Sequence, residues 1–287
     1  MENYIAIACR NKFKFAFFIS ICILFVLAFY PVWSGLIKVW MNSDEYSHGF
    51  FIVPIALFVV WNKRSDLTSS PVQGSWIGLL LVILALFIYL IGRVGEIYTL
   101  SSLSMIFFIA ASIVFLFGFR IFKELLFPLF ILLFMIPVPS QVFSAATIEL
   151  QLFVSQASTF LVSFLGVPLF REGNVIHLPE RTLQVVQACS GLRSLITLLT
   201  LSAVFGYFTL RSNILRTVLF FSGVPIAIFV NIVRVTLLIC FIHFLGLDLT
   251  HGASHTWFGL GIFALALGLL FLIKGLIARW DTFSLVD

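Results

Sequence analysis

Runs of roughly twenty apolar residues recur along this chain with hardly a charge inside them, and no other feature narrows its folding options as far. A helix needs about 20 such residues to cross the hydrocarbon layer of a bilayer. Lipid cannot solvate free backbone N–H and C=O groups, so a spanning segment of this kind has to be helical. Eight candidate spans emerge, at 13–32, 47–62, 76–93, 98–118, 121–138, 189–209, 216–245 and 256–276. Composition agrees: 61% of the 287 residues are hydrophobic and only 10% charged, against about 25% charged in a soluble domain. Thirty-five Phe residues suit lipid-facing helices better than a shell facing water. Such figures exclude a soluble globule, a disordered chain and a disulfide-stapled secreted domain. The four cysteines, Cys9, Cys22, Cys189 and Cys240, show neither CxxC nor zinc spacing.

The net charge of +5 does not point to nucleic acid, because the basic residues stand singly or in pairs between apolar runs. They read instead as topology signals. Arg10, Lys12 and Lys14 precede an apolar stretch as in a signal peptide, but no small-residue cleavage site follows, so a retained first helix is expected. A ninth apolar stretch, 142–168, carries Thr147, Glu149, Gln151, Ser155, Gln156 and Ser158, which lipid would solvate poorly. If it does not span, eleven basic residues fall on the side of the termini and four (Lys38, Arg93, Arg171 and Arg181) on the other. That bias places both termini in the cytoplasm and makes 142–168 an interfacial or re-entrant helix on the outer face. The expected fold is therefore all-α: a polytopic membrane protein of about eight transmembrane helices plus that outer helix. It forms one integral-membrane domain over 1–287, without a separate soluble domain. Arg171-Glu172-Gly173-Asn174 followed by Val175–Pro179 reads as a short outer hairpin.

Within spans this apolar, the polar exceptions carry information, since ionisable residues in a membrane are costly. Arg234 lies near the middle of 216–245, with Asn231 one turn away on the same face. Its plainer reading is an arginine that snorkels or pairs to hold helices together. Cys189 opens the sixth span within Ala188-Cys189-Ser190-Gly191-Leu192-Arg193-Ser194. A helix start favours thiolate, Arg193 follows at i+4, and Gly191 leaves backbone approachable; a small buried hydrophobe is the alternative. His255 opens the last span, where a solvated cap is the alternative to a catalyst. His251 and His255 stand four apart, but no HExxH motif or carboxylate cluster accompanies them, so no metal and no cofactor is assigned. A cysteine nucleophile needs a base or cation to hold its thiolate, and an arginine can stabilise the oxyanion of acyl transfer. Cys189 and His255 at one face, with Arg234 between helices, therefore suggest one site. Glu45 and His48, at the outer start of the second span, are expected to support it or to touch the substrate tail.

At these residues the chain resembles the exosortase/archaeosortase family of membrane cysteine transpeptidases, over about 33–275. The matching elements, in order, are Asp44–Gly49 with Pro54, Phe127-Pro128, Phe134–Pro137, Leu165–Pro168, Arg171–Asn174, Ala188–Ser194, Asn231–Arg234 and His255–Gly259. The resemblance implies eight membrane helices and a catalytic set of Cys189, Arg234 and His255; Arg193, Asn231, Glu45, His48, Ser190 and Gly191 are expected, from their positions, in supporting or substrate-contacting places. It implies exported protein substrates whose C-terminal tail carries a signature of the PEP-CTERM type, a transmembrane helix and a basic end. Cleavage would occur at the outer face of the cell's inner (plasma) membrane, with transfer to an acceptor, polysaccharide or lipid-linked, and no role for nucleic acid. The competing class is an exopolysaccharide-associated membrane protein, a polymerase or export component without protease activity. Such a protein would have no use for a nucleophilic thiol at Cys189.

Overall fold

The computed structural model describes residues 19–43, 45–185 and 191–283, and they are predominantly helical. The chain divides into two compact units, Met1–Pro137 and Val138–Asp287. By length and composition five helices can cross a membrane, or six if one bent pair counts as a single span. Three shorter apolar helices, Gly49–Asn62, Leu126–Met135 and Ser194–Thr209, fall at three of the remaining expected spans.

The first unit holds α1 (Ile19–Ala28), α2 (Tyr30–Asn42), α3 (Gly49–Asn62), α4 (Arg64–Ser69), α5 (Trp76–Val94), α6 (Tyr98–Phe117), α7 (Phe119–Glu124) and α8 (Leu126–Leu132). The expected first span, 13–32, is not one straight rod: α1 and α2 meet at 71°, with Pro31 in the first turn of α2. Proline fits a helix start but cannot continue the preceding ladder, which accounts for a break there. The expected span 121–138 is likewise divided into α7, α8 and a 3-10 turn over Leu133–Met135 that runs out at Pro137. Lys63 ties the α3–α4 junction to α7 through a 2.7 Å salt bridge to Glu124.

The second unit begins with α9 (Ser140–Ser163), followed by three short strands, β1 (Phe170–Glu172), β2 (Val175–His177) and β3 (Thr182–Gln184). They form an antiparallel sheet in the order β1-β2-β3, with Arg171 opposite Ile176 and Ile176 opposite Leu183. Then come α10 (Gly191–Thr209), α11 (Asn213–Leu245) and α12 (Gly252–Phe283). The sheet adds a strand, β3, to the hairpin read from the sequence.

For α9 the re-entrant alternative gives way to a single unbroken helix, long and apolar enough to cross a membrane. Of the six polar residues that argued against lipid burial, Gln151, Ser155 and Ser158 are buried against protein, as is Thr159, whereas Glu149 and Gln156 are exposed. Thr147, Ser155 and Thr159 also return hydrogen bonds to carbonyls of their own helix, at 2.7 to 3.0 Å. Its apolar partners are the sheet and the C-terminal half of α11: Val154 and Val162 pack with Ile176, Leu183, Val235, Leu238 and Ile242.

Candidate functional site

Arg234 and His255 come from different helices and meet in the second unit. Arg234 stands on α11, and His255 in the first turn of α12. Arg234 Nη2 donates to His255 Nε2 at 3.3 Å. Guanidinium groups only donate, so Nε2 must offer its lone pair and the ring proton belongs on Nδ1. The other side of the ring agrees, since Nδ1 lies 3.3 Å from the Leu249 carbonyl, an acceptor. This is a neutral imidazole with a defined tautomer and a basic nitrogen turned toward a cation.

Arg234 also lines a narrow cleft between α10, α11 and α12, together with Ser194, Asn231, Gly259 and Phe263 among others. Its interior holds about 20 Å³, room for a single water. Among the described residues, four buried side-chain nitrogens or oxygens have no hydrogen-bond partner, and two of them are here: Asn231 Nδ2 and Arg234 Nε. An unmet buried donor costs about 1–3 kcal/mol. Two on one cleft mark a place that welcomes an oxygen acceptor.

Trp257 and Trp280 are both exposed on α12, 23 residues and hence about 35 Å apart along the helix. The sheet packs on the C-terminal end of α11, through Val235, Leu238 and Ile242. There α11 stops in an αL cap: Gly246 takes φ +64°, and its N–H reaches back to Ile242 O at 3.1 Å.

A second polar cluster sits at this end of α11, and the sequence reading had passed over it. Arg181, in the β2–β3 turn, donates to Asp248 in the α11–α12 linker, while Glu180 pairs with His243 of α11 at 2.8 Å. Asp248 also accepts from the Thr250 hydroxyl and from Thr250 N–H, the latter at 2.9 Å. These bonds from Thr250, then the Arg181 guanidinium, hold the Asp248 carboxyl well below the usual carboxylate range. The linker fixed this way contains Leu249, whose carbonyl orients His255. The local Asp-x-Thr pattern, a familiar side-chain-to-backbone turn, was the available signal.

The other expected site residues are distributed as follows. Cys189 and Ser190 lie outside the described residues. Gly191 and Arg193 occupy the first turn of α10, one residue before Ser194 reaches the cleft. Glu45 and His48 belong to the first unit, and there His48 Nε2 donates to Phe134 O at 3.2 Å. Nearby Trp40 Nε1 donates to Met135 O at 3.0 Å. Both bonds go to carbonyls where α8 runs out, the place where a helix leaves acceptors over. Gly49 is buried against the Trp40 indole, with no room for a Cβ. Glu45 accepts from Ser43 Oγ at 3.4 Å. This motif therefore has a local structural task. Among the described residues no three His, Cys, Asp or Glu side chains group as metal ligands.

The fold is that of an all-α polytopic membrane protein. A family model for transmembrane exosortases matches residues 40–272, and the chain belongs to that family. No curated protein and no solved structure matches it.

Proposed function

We propose that the protein is a membrane-embedded cysteine transpeptidase that cuts C-terminal sorting tails from exported proteins. The observation that carries this reading is Arg234, which holds His255 through Nη2 while its unmet Nε belongs to a cleft lined also by Ser194, on the helix that starts two residues after Cys189. In this reading Cys189 sulfur attacks the scissile carbonyl carbon, having given its proton to His255 Nε2 as the Arg234 Nη2 donor leaves that nitrogen. The carbonyl π electrons move to oxygen, and that oxyanion accepts a hydrogen bond from Arg234. When the tetrahedral species collapses, the C–N bond breaks and the leaving amine takes the proton from His255. A thioester remains on Cys189. An acceptor nucleophile, deprotonated by the same imidazole, then attacks it and frees the thiol.

The site is assigned to the extracytoplasmic face of the inner (plasma) membrane, with α9 lying along the interface rather than crossing, so that both termini are cytoplasmic. Basic Lys274 and Arg279 at the far end of α12, and Arg211 and Arg216 at the α10–α11 turn, support that orientation. The sheet and the C-terminal end of α11 then offer an outer platform, and a substrate's transmembrane helix would lie in the lipid beside the unit. The acceptor is a polysaccharide or lipid-linked nucleophile.

The test is co-expression with an exported protein bearing a signature–helix–basic tail. Wild type should shorten the substrate, and Cys189→Ala should leave it full length at equal enzyme abundance. Continued cutting by Cys189→Ala would overturn the reading. Impermeant maleimide on intact cells should label Cys189 and not Cys9; the reverse pattern would overturn the orientation.

A further inference from the structure

We infer that Asn231 supplies a second donor for the acyl oxygen, so that Asn231 Nδ2–H and Arg234 Nε–H together form a two-donor oxyanion site. The inference rests on the transpeptidase reading and deepens it.

The argument begins with what Asn231 lacks. It is only 5% exposed, and its Nδ2 has no partner among the described residues. A buried amide is normally retained because its hydrogen bonds are met. Here the donor is left waiting, as is Arg234 Nε one turn along α11 on the same face. Both side chains line the cleft, whose interior has room for a water-sized oxygen. The rest of Arg234 is already engaged, since Nη2 braces His255 at 3.3 Å. The guanidinium thus has two separable tasks: one edge fixes the base, while Nε faces an absent ligand.

The chemistry that fills such a place is a single oxygen bearing partial or full negative charge: a peptide carbonyl becoming an oxyanion, and after hydrolysis the product carboxylate. A cation would meet two N–H donors and is excluded. Donors fixed beforehand act most strongly where charge develops, because they need no reorganisation during the reaction. The cost appears in the resting protein as unsatisfied polar groups, a familiar exchange of stability for activity.

That exchange supplies a test that a merely structural asparagine would fail. Asn231→Leu removes the waiting donor, and Asn231→Asp replaces it with an acceptor at nearly constant volume. Each is assayed beside wild type and Cys189→Ala, in nanodiscs with a purified tail peptide, for kcat, KM and Tm. Asn231→Leu is expected to hold or raise Tm while kcat falls by about 10²–10³ and KM changes little. Asn231→Asp should lose turnover to at least the same degree. Turnover within tenfold of wild type in either folded variant would overturn the inference. If Asn231→Leu fails to accumulate through overpacking, Asn231→Asp decides alone: normal accumulation without turnover supports the two-donor site, and normal turnover refutes it. An active Cys189→Ala would instead bring down the transpeptidase reading itself.

Discussion

Arg234→Lys separates charge from geometry in the cleft. The guanidinium makes one described bond, Nη2 to His255 Nε2 at 3.3 Å, and carries one unmet donor, Nε. Lysine preserves the charge, and its single ammonium can take over one of these places but not both. If it keeps the bond to His255, the oxyanion loses one donor. In soluble enzymes that loss costs about 10²–10³ in rate, or roughly 3–4 kcal/mol of transition-state stabilisation. The folded state should not suffer comparably, because the lost Nε was unpaired and contributed no described hydrogen bond. Arg234→Lys should therefore accumulate in the membrane at wild-type levels, leave uncut substrate behind, and retain a Cys189 that alkylates. The assay is an immunoblot of substrate length and enzyme abundance, followed by kcat in nanodiscs. Turnover within tenfold of wild type would refute the oxyanion role. A degraded variant would show that Arg234 serves helix packing.

Two further perturbations probe the scaffold. His48→Ala should remove the hydrogen bond to the Phe134 carbonyl, lowering stability by about 0.5–1.5 kcal/mol. His48→Gln, whose amide can still donate, should recover part of that loss in a Tm series; a wild-type Tm for His48→Ala would remove the structural role. Asp248 tests pH dependence. Its folded value lies below the ordinary one near 4, so its stabilisation is fully present above about pH 4 and is lost as the pH falls through the depressed value. The Tm gap between wild type and Asp248→Asn should not shrink from pH 8 to pH 5 and should close in stronger acid, whereas a gap closing near neutrality would contradict the Thr250 and Arg181 contacts.

The sequence alone determined the membrane class, most helix positions and the identity of the polar exceptions. These follow from local properties, since an apolar run of about 20 residues has one stable conformation in lipid. Arg234, Asn231 and His255 stood out for the same reason: in a span so poor in charge, each polar group is conspicuous. The short hairpin after Arg171 was legible from turn residues and alternation, and the structure adds β3 to it. Other features depended on partners distant in sequence. The polar face of α9 looked costly until Gln151, Ser155, Ser158 and Thr159 were found buried against protein. The bond from His48 to the Phe134 carbonyl, 86 residues away at the 3-10 ending of α8, is likewise a contact that the local sequence does not show. The linker that aims His255 is fastened by Arg181, 67 residues before Asp248. Hydropathy records how each segment meets its solvent, so it was readable residue by residue. Which nitrogen of His255 holds the proton, and which donors are left unmet, depends on side chains brought together from separate helices, and only the tertiary structure decided that.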